Sequence, residues 1–114
     1  MQREFGQVRT EIPPGTLHML ILKTLARGPL HGYAIAQQIK LMSEDVLRVE
    51  EGSLYPALQR MLAKGWVTAS WIQAGPKRQA RVYRLTAEGR TQLATEISDF
   101  TRVMRAIVRV IEPV

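Results

Sequence analysis

The chain has 114 residues, enough for one hydrophobic core and too few for a second domain. It has no cysteine, which excludes disulfides, thiolate chemistry and cysteine-based zinc sites, and its net charge of +6 favours a polyanionic partner, either nucleic acid or an anionic membrane surface. No apolar run approaches the roughly 18 residues of a membrane span, and no signal-peptide pattern opens the chain, so the reading is a cytoplasmic protein with no membrane partner.

Residues 1–14 read as a polar N-terminal arm closed by Pro13-Pro14-Gly15, in which Phe5, Val8 and Ile12 would let part of it pack as a helix. Thr16 suits the N-cap of a first helix to about Arg27, with Leu17, Leu20, Ile21 and Leu25 on its core face. Gly28-Pro29 stops it. A second helix begins near His31-Gly32-Tyr33 and runs to about Met42, with Ile35, Ala36, Ile39 and Met42 inward. Ser43-Glu44-Asp45 breaks that pattern, and residues 46–49 offer a short strand to pair with a later hairpin.

Residues 51–62 predict a third helix. Leu54, Leu58 and Met61 fall at i, i+4 and i+7, and Leu62 widens the stripe. Ser53 stands where an N-cap belongs, and Pro56 then falls in the first turn, where a missing N–H costs little. The opposite face carries Ser53, Gln59, Arg60 and Lys64, with Tyr55 on the flank and no acid beyond Glu51. A hairpin follows. Residues 66–73 place Val67, Ala69 and Trp71 on one face, Ala74-Gly75-Pro76 turns the chain, and residues 81–85 return.

Lys77, Arg78, Arg81 and Arg84 crowd the tip and return strand with no acid among them. A short helix with a basic donor face suits the major groove of DNA, and a basic hairpin suits the phosphates beside it. The candidate DNA-binding residues are therefore Ser53, Tyr55, Gln59, Arg60, Lys64, Lys77, Arg78 and Arg81. The fold class is α+β, mostly α: a winged helix-turn-helix over residues 15–85, followed by a long C-terminal dimerisation helix over residues 86–114.

That last helix has Thr86 as its N-cap candidate and Glu88 in its first turn, but Gly89 where a capping box needs Glu or Gln. Leu93, Ile97, Phe100, Met104, Ile107 and Ile111 are spaced 4, 3, 4, 3, 4, a heptad seam. So long an apolar stripe exceeds what the domain's own core needs. The simplest partner is the same helix of a second chain, so these six residues are the candidate homodimer interface.

Other residues read more plainly. His31 stands where the second helix begins and suits a cap better than a metal site, because a lone histidine lacks partner ligands. His18 suits a surface or packing role. Trp66, just after Lys64-Gly65, should plug the core under the third helix. Trp71 reads either as a residue that stacks on a base or a flat ligand or as a structural one. There is no nucleophile with a nearby base, no phosphate loop and no carboxylate cluster, so no enzyme, no metal site and no cofactor is expected.

Four segments, in this order and spacing, resemble the PadR family of bacterial transcriptional regulators. They are Leu30-His31-Gly32-Tyr33-Ala34-Ile35, then Glu51-Gly52-Ser53-Leu54-Tyr55-Pro56-Ala57-Leu58, then Gly65-Trp66, then Tyr83-Arg84-Leu85-Thr86-Ala87-Glu88-Gly89-Arg90. The likeness covers about residues 15–112, and residues 46–58 look most like the acidobacterial-type branch. The resemblance implies a homodimeric winged-helix repressor that binds an inverted repeat in double-stranded DNA, and it favours a DNA contact for Tyr55. In some members a small hydrophobic molecule releases the DNA. Some relatives sandwich such a molecule between tryptophans of the dimer helix. Here that helix has no Trp, and Phe100 stands where relatives often carry it. A pocket of Phe100 and Met104 could still take a small apolar effector, without indole stacking. Two readings from other classes remain beside the repressor: a winged helix that binds RNA, and one that serves protein contacts.

Overall fold

A computed structural model describes Ile12 and residues 15–112. The expectations for the rest of the N-terminal arm, Phe5 and Val8 included, lie outside the described residues. The elements are α1 (Leu17–Leu25), β1 (Leu30–His31), α2 (Gly32–Met42), α3 (Glu51–Ala63), β2 (Val67–Gly75), β3 (Arg78–Leu85) and α4 (Ala87–Ile111). The three strands form one antiparallel sheet in the order β1-β3-β2. This is the winged helix-turn-helix order.

The core lies where α1, α2 and α3 meet the root of the hairpin. Ile21, Leu22 and Leu25 of α1, Ile35 and Ile39 of α2, and Leu54, Ala57, Leu58 and Met61 of α3 are buried together with Val67 and Tyr83. Each fully buried Leu, Ile or Met side chain contributes about 1.5–3 kcal/mol relative to exposure. The α1 stripe is broader than the expected one, because Met19 and Leu22 are buried as well, whereas Leu17 and Leu20 are only partly covered. The α1 helix also ends at Leu25, short of Arg27. Met42 departs from its expected inward place. It is 45 % exposed, as the last residue of α2.

The expected strand at residues 46–49 is absent apart from one isolated bridge at Leu47. The third strand is instead Leu30–His31, with Leu30 opposite Tyr83 and His31 opposite Val82. The reason lies in the end of α2. Glu44 and Asp45 take positive φ of 54° and 67°, and the Asp45 N–H donates back to the Lys40 carbonyl at 2.7 Å. The Ser43 hydroxyl then accepts from the Leu47 N–H at 2.9 Å. The Arg48 guanidinium holds the Asp45 carboxylate in a two-pronged pair at 2.9 and 2.8 Å. A chain bent this tightly cannot run extended beside the sheet.

The α3 helix begins earlier than the Ser53 cap implies. Glu50 holds the N-cap position, and Ser53 lies inside the first turn. Pro56 is therefore in the second turn, where it leaves the Gly52 carbonyl without its usual i+4 donor. The C-terminus closes in a Schellman motif. The Gly65 N–H donates to the Leu62 carbonyl at 3.1 Å, and the Trp66 N–H to Met61 at 3.0 Å. Gly65 has φ of 77°, the left-handed region that favours glycine. This cap turns Trp66 under the helix, where it packs on the core as expected.

The hairpin is longer than its sequence pattern suggested. Its return strand starts at Arg78, and the turn is Pro76-Lys77, with a register shift between Gln73 and Gly75. At its far end Thr86 caps α4, its Oγ1 accepting the Gly89 N–H at 2.9 Å.

Candidate functional site

The α3 helix divides into a buried and an exposed face, as its spacing requires. Ser53, Tyr55, Gln59, Arg60 and Lys64 are all exposed. They do not form one row. Successive helical positions turn by about 100°, so Tyr55 and Gln59 lie toward one edge of the exposed face, and Ser53, Arg60 and Lys64 toward the other.

The two edges have different neighbours. Tyr55 faces the start of α2 and the wing: it lines a cleft of about 440 Å³ with Gly32, Tyr33, Arg78, Arg81 and Tyr83. Its phenol pKa is raised, first by burial and then by Glu51 and Tyr83, so it stays a proton donor at neutral pH. The other edge faces α1. Arg60 and Lys64 both act on His18, whose pKa is lowered first by burial and then by Arg60, against an opposing pull from Glu96. The Lys64 ammonium sits 5.3 Å from the centroid of the Trp66 ring.

Lys77 stands in the wing turn, and Arg78 opens the return strand; both are exposed. Arg81 is held differently. Its guanidinium carbon lies 5.9 Å from the Trp71 ring and 5.8 Å from the Tyr83 ring. The register causes this: Trp71 stands directly opposite Arg81, and Tyr83 is two residues along the same strand on the same face. Trp71 is 63 % exposed, so the stack extends out along the wing beyond the core. Such stacking fixes the direction of an otherwise flexible cation. Sequence reasoning missed Trp71 and Tyr83 as supports for Arg81. The alternation held the signal, but it became usable only once the turn fixed the register. His31 holds the N-cap position of α2, but its ring makes no capping hydrogen bond.

The seam residues of α4 part company. Leu93 is 7 % exposed and belongs to the core cluster of the same chain, in a helix that packs against α1. The apolar stripe left uncovered begins at Ile97 and continues through Phe100, Met104, Ile107 and Ile111. Phe100 and Met104 line a shallow groove of about 440 Å³ with Thr101, Arg105, Val108 and Arg109. Among the described residues no His, Asp and Glu cluster could hold a metal ion, and no helix is long and apolar enough to cross a membrane.

A helix-turn-helix with a basic wing and a long trailing helix defines a winged-helix protein. The profile of the transcriptional regulator PadR-like family matches residues 21–95. The chain belongs to that family, whose members are transcriptional regulators and not enzymes. Solved structures agree. A transcriptional regulator from Clostridium thermocellum superposes with a TM-score of 0.80 at 21 % identity, covering 86 % of this chain and 95 % of that one. A PadR family regulator from Eggerthella lenta gives 0.74 at 27 % identity, covering 88 % and 85 %. Bacillus subtilis PadR, in complex with operator DNA, gives 0.67 at 27 % identity, covering 75 % of this chain and 48 % of that chain.

Proposed function

We propose that the protein is a homodimeric repressor that binds an inverted-repeat operator in duplex DNA. Residues 15–85 supply the DNA-binding unit and residues 86–114 the dimer contact. Ser53, Tyr55, Gln59 and Arg60 face the major groove. Lys64, Lys77, Arg78 and Arg81 take phosphates beside it. The observation that carries this reading is the shared cleft: Tyr55 on the exposed edge of α3 and Arg78 and Arg81 of the wing line one concave surface with no acid among its lining residues. The related PadR bound to operator DNA supports the same partner.

Two copies are needed because one helix reads only a few base pairs. Joined on a two-fold axis, two α3 helices read half-sites about one helical turn, roughly 34–36 Å, apart. The uncovered stripe from Ile97 to Ile111 is the surface that joins them. A small apolar effector in the groove of Phe100 and Met104 releases the DNA by shifting the pairing of the two α4 helices.

A titration of genomic fragments, structured RNA and random duplex tests the reading. The expected result is tight, salt-sensitive and sequence-selective binding to a palindromic duplex. Replacing Gln59 with Ala should alter the preferred sequence, reducing discrimination by about 1–3 kcal/mol at one base pair per half-site. Equal binding to structured RNA, or no binding to nucleic acid, refutes it. For the effector, aromatic apolar compounds should raise the melting temperature of the wild type and not of Phe100→Ala.

A further inference from the structure

Gly32 opens α2 directly beside the ring of Tyr55. A β-carbon at Gly32 would stand 2.8 Å from Cε1 of Tyr55, 3.2 Å from its hydroxyl oxygen and 3.3 Å from Cζ. These separations leave no room for a methyl group while the ring stays in place. The backbone itself does not call for glycine here. Among the described residues the glycines with positive φ are Gly15, Gly28 and Gly65, not Gly32. Gly32 is the first residue of α2, and the three atoms nearest to such a β-carbon all belong to Tyr55.

The ring belongs to the cleft that Arg78 and Arg81 also line, together with Tyr83. Arg81 is already directed by its stack on Trp71 and Tyr83. The Tyr55 phenol is one of the neutral donors of the cleft, beside Tyr33 and Tyr83, and burial raises its pKa. The geometry points to Gly32 as the positioning residue for Tyr55. It seats the phenol so that its O–H, beside the Arg78 and Arg81 guanidinium groups, meets one phosphodiester of the strand passing between α3 and the wing. This inference rests on the duplex-binding reading above and assigns the glycine of the His31-Gly32-Tyr33 segment a role in it.

Alanine at position 32 pushes only on the outer end of a rotatable side chain, so the ring can swing away while the fold stays intact. A double-mutant cycle on the full chain tests the inference, with duplex affinity, dimer state and melting temperature measured for wild type, Gly32→Ala, Tyr55→Ala and the double variant. Gly32→Ala should weaken binding about tenfold, the weight of one hydrogen bond to a charged group, and leave the dimer and melting temperature unchanged. Added to Tyr55→Ala, it should cost no further affinity. Phenolate absorbance, referenced to Tyr55→Phe, should show the Tyr55 pKa moving back toward its ordinary value in Gly32→Ala.

Equal losses in both backgrounds overturn the assignment. So does wild-type affinity in Gly32→Ala, or a Tyr55 titration that does not move. A wild type that binds duplex while the cycle is additive defeats this inference alone. A wild type that binds no duplex defeats the functional reading, and the inference with it.

Discussion

Thr86 is joined to Trp66 twice. Its backbone N–H donates to the Trp66 carbonyl at 3.0 Å, and its hydroxyl lies 2.9 Å from the same oxygen and 2.7 Å from the Gly65 carbonyl, sharing one proton between them. The hydroxyl oxygen also accepts from the Gly89 N–H. One side chain thus ties the end of α3 to the start of α4, the two elements whose relative geometry the proposed dimer depends on. Gly89 completes the joint. A β-carbon there would collide with the Trp66 carbonyl oxygen and stand 2.6 Å from the Leu85 side chain. This explains the missing capping-box acid: the position has no space for a side chain.

Thr86→Ala should therefore lower stability by about 1–2 kcal/mol, the upper range for removal of an N-cap. Thr86→Ser should retain most of it. Gly89→Ala presses on backbone, not on a movable side chain, and should cost about 1–3 kcal/mol or more. Denaturant melts of the three variants check the ranking. A Gly89→Ala protein as stable as wild type would contradict this packing.

The wing turn gives an electrostatic prediction. Lys77 and Arg78 are exposed on the wing, so in the proposed complex they should supply charge and no sequence information. Replacing both with Ala should weaken all duplexes alike. The slope of log affinity against log salt should flatten by about 0.9 for each phosphate that the variant no longer neutralises. Unchanged binding at every salt concentration would remove the wing from the interface.

The free stripe of α4 is tested by Ile107→Asp. Ile107 is 43 % exposed in the single chain, so an aspartate there is tolerated by the protomer and not by a helix pair. Sedimentation should show a folded monomer or an aggregate, with operator binding abolished. A well-folded Ile107→Asp dimer would place the main contact elsewhere.

His18 predicts a pH dependence. Its ring packs edge-on to Trp66 at 6.1 Å, and its buried Nε2 has no hydrogen-bond partner among the described residues. Burial first, then Arg60, hold its folded pKa below the ordinary histidine value of 6.5. The unfolded chain therefore takes up this proton at a higher pH than the folded one. The stabilisation by the neutral ring is present above the unfolded pKa and is lost as pH falls through it toward the folded pKa. Unfolding free energies measured from about pH 7.5 down to about pH 5.5 should decline, and His18→Gln should flatten the decline. A decline equally steep in His18→Gln would assign it to other groups.

Much of this architecture was legible along the chain. The i, i+4, i+7 stripe of α3 and the Thr86 cap are local properties. Backbone sterics and hydrophobic spacing decide them without reference to distant residues. The fold class followed from their order, and the family from four spaced segments. The basic, acid-free wing was equally plain.

Tertiary structure decided where a short segment pairs and which of two similar surfaces is used. Leu30–His31, not residues 46–49, completes the sheet, because strand pairing depends on where the preceding turn aims the chain. Leu93 and Ile97 read alike in the heptad, yet Leu93 is buried in the core and Ile97 is 38 % exposed. The Trp71-Arg81-Tyr83 stack awaited the hairpin register, and the place of Gly32 beside Tyr55 awaited the approach of α2 to α3. Each joins residues far apart in sequence, and such contacts are set by the packing of whole elements, which local periodicity does not encode.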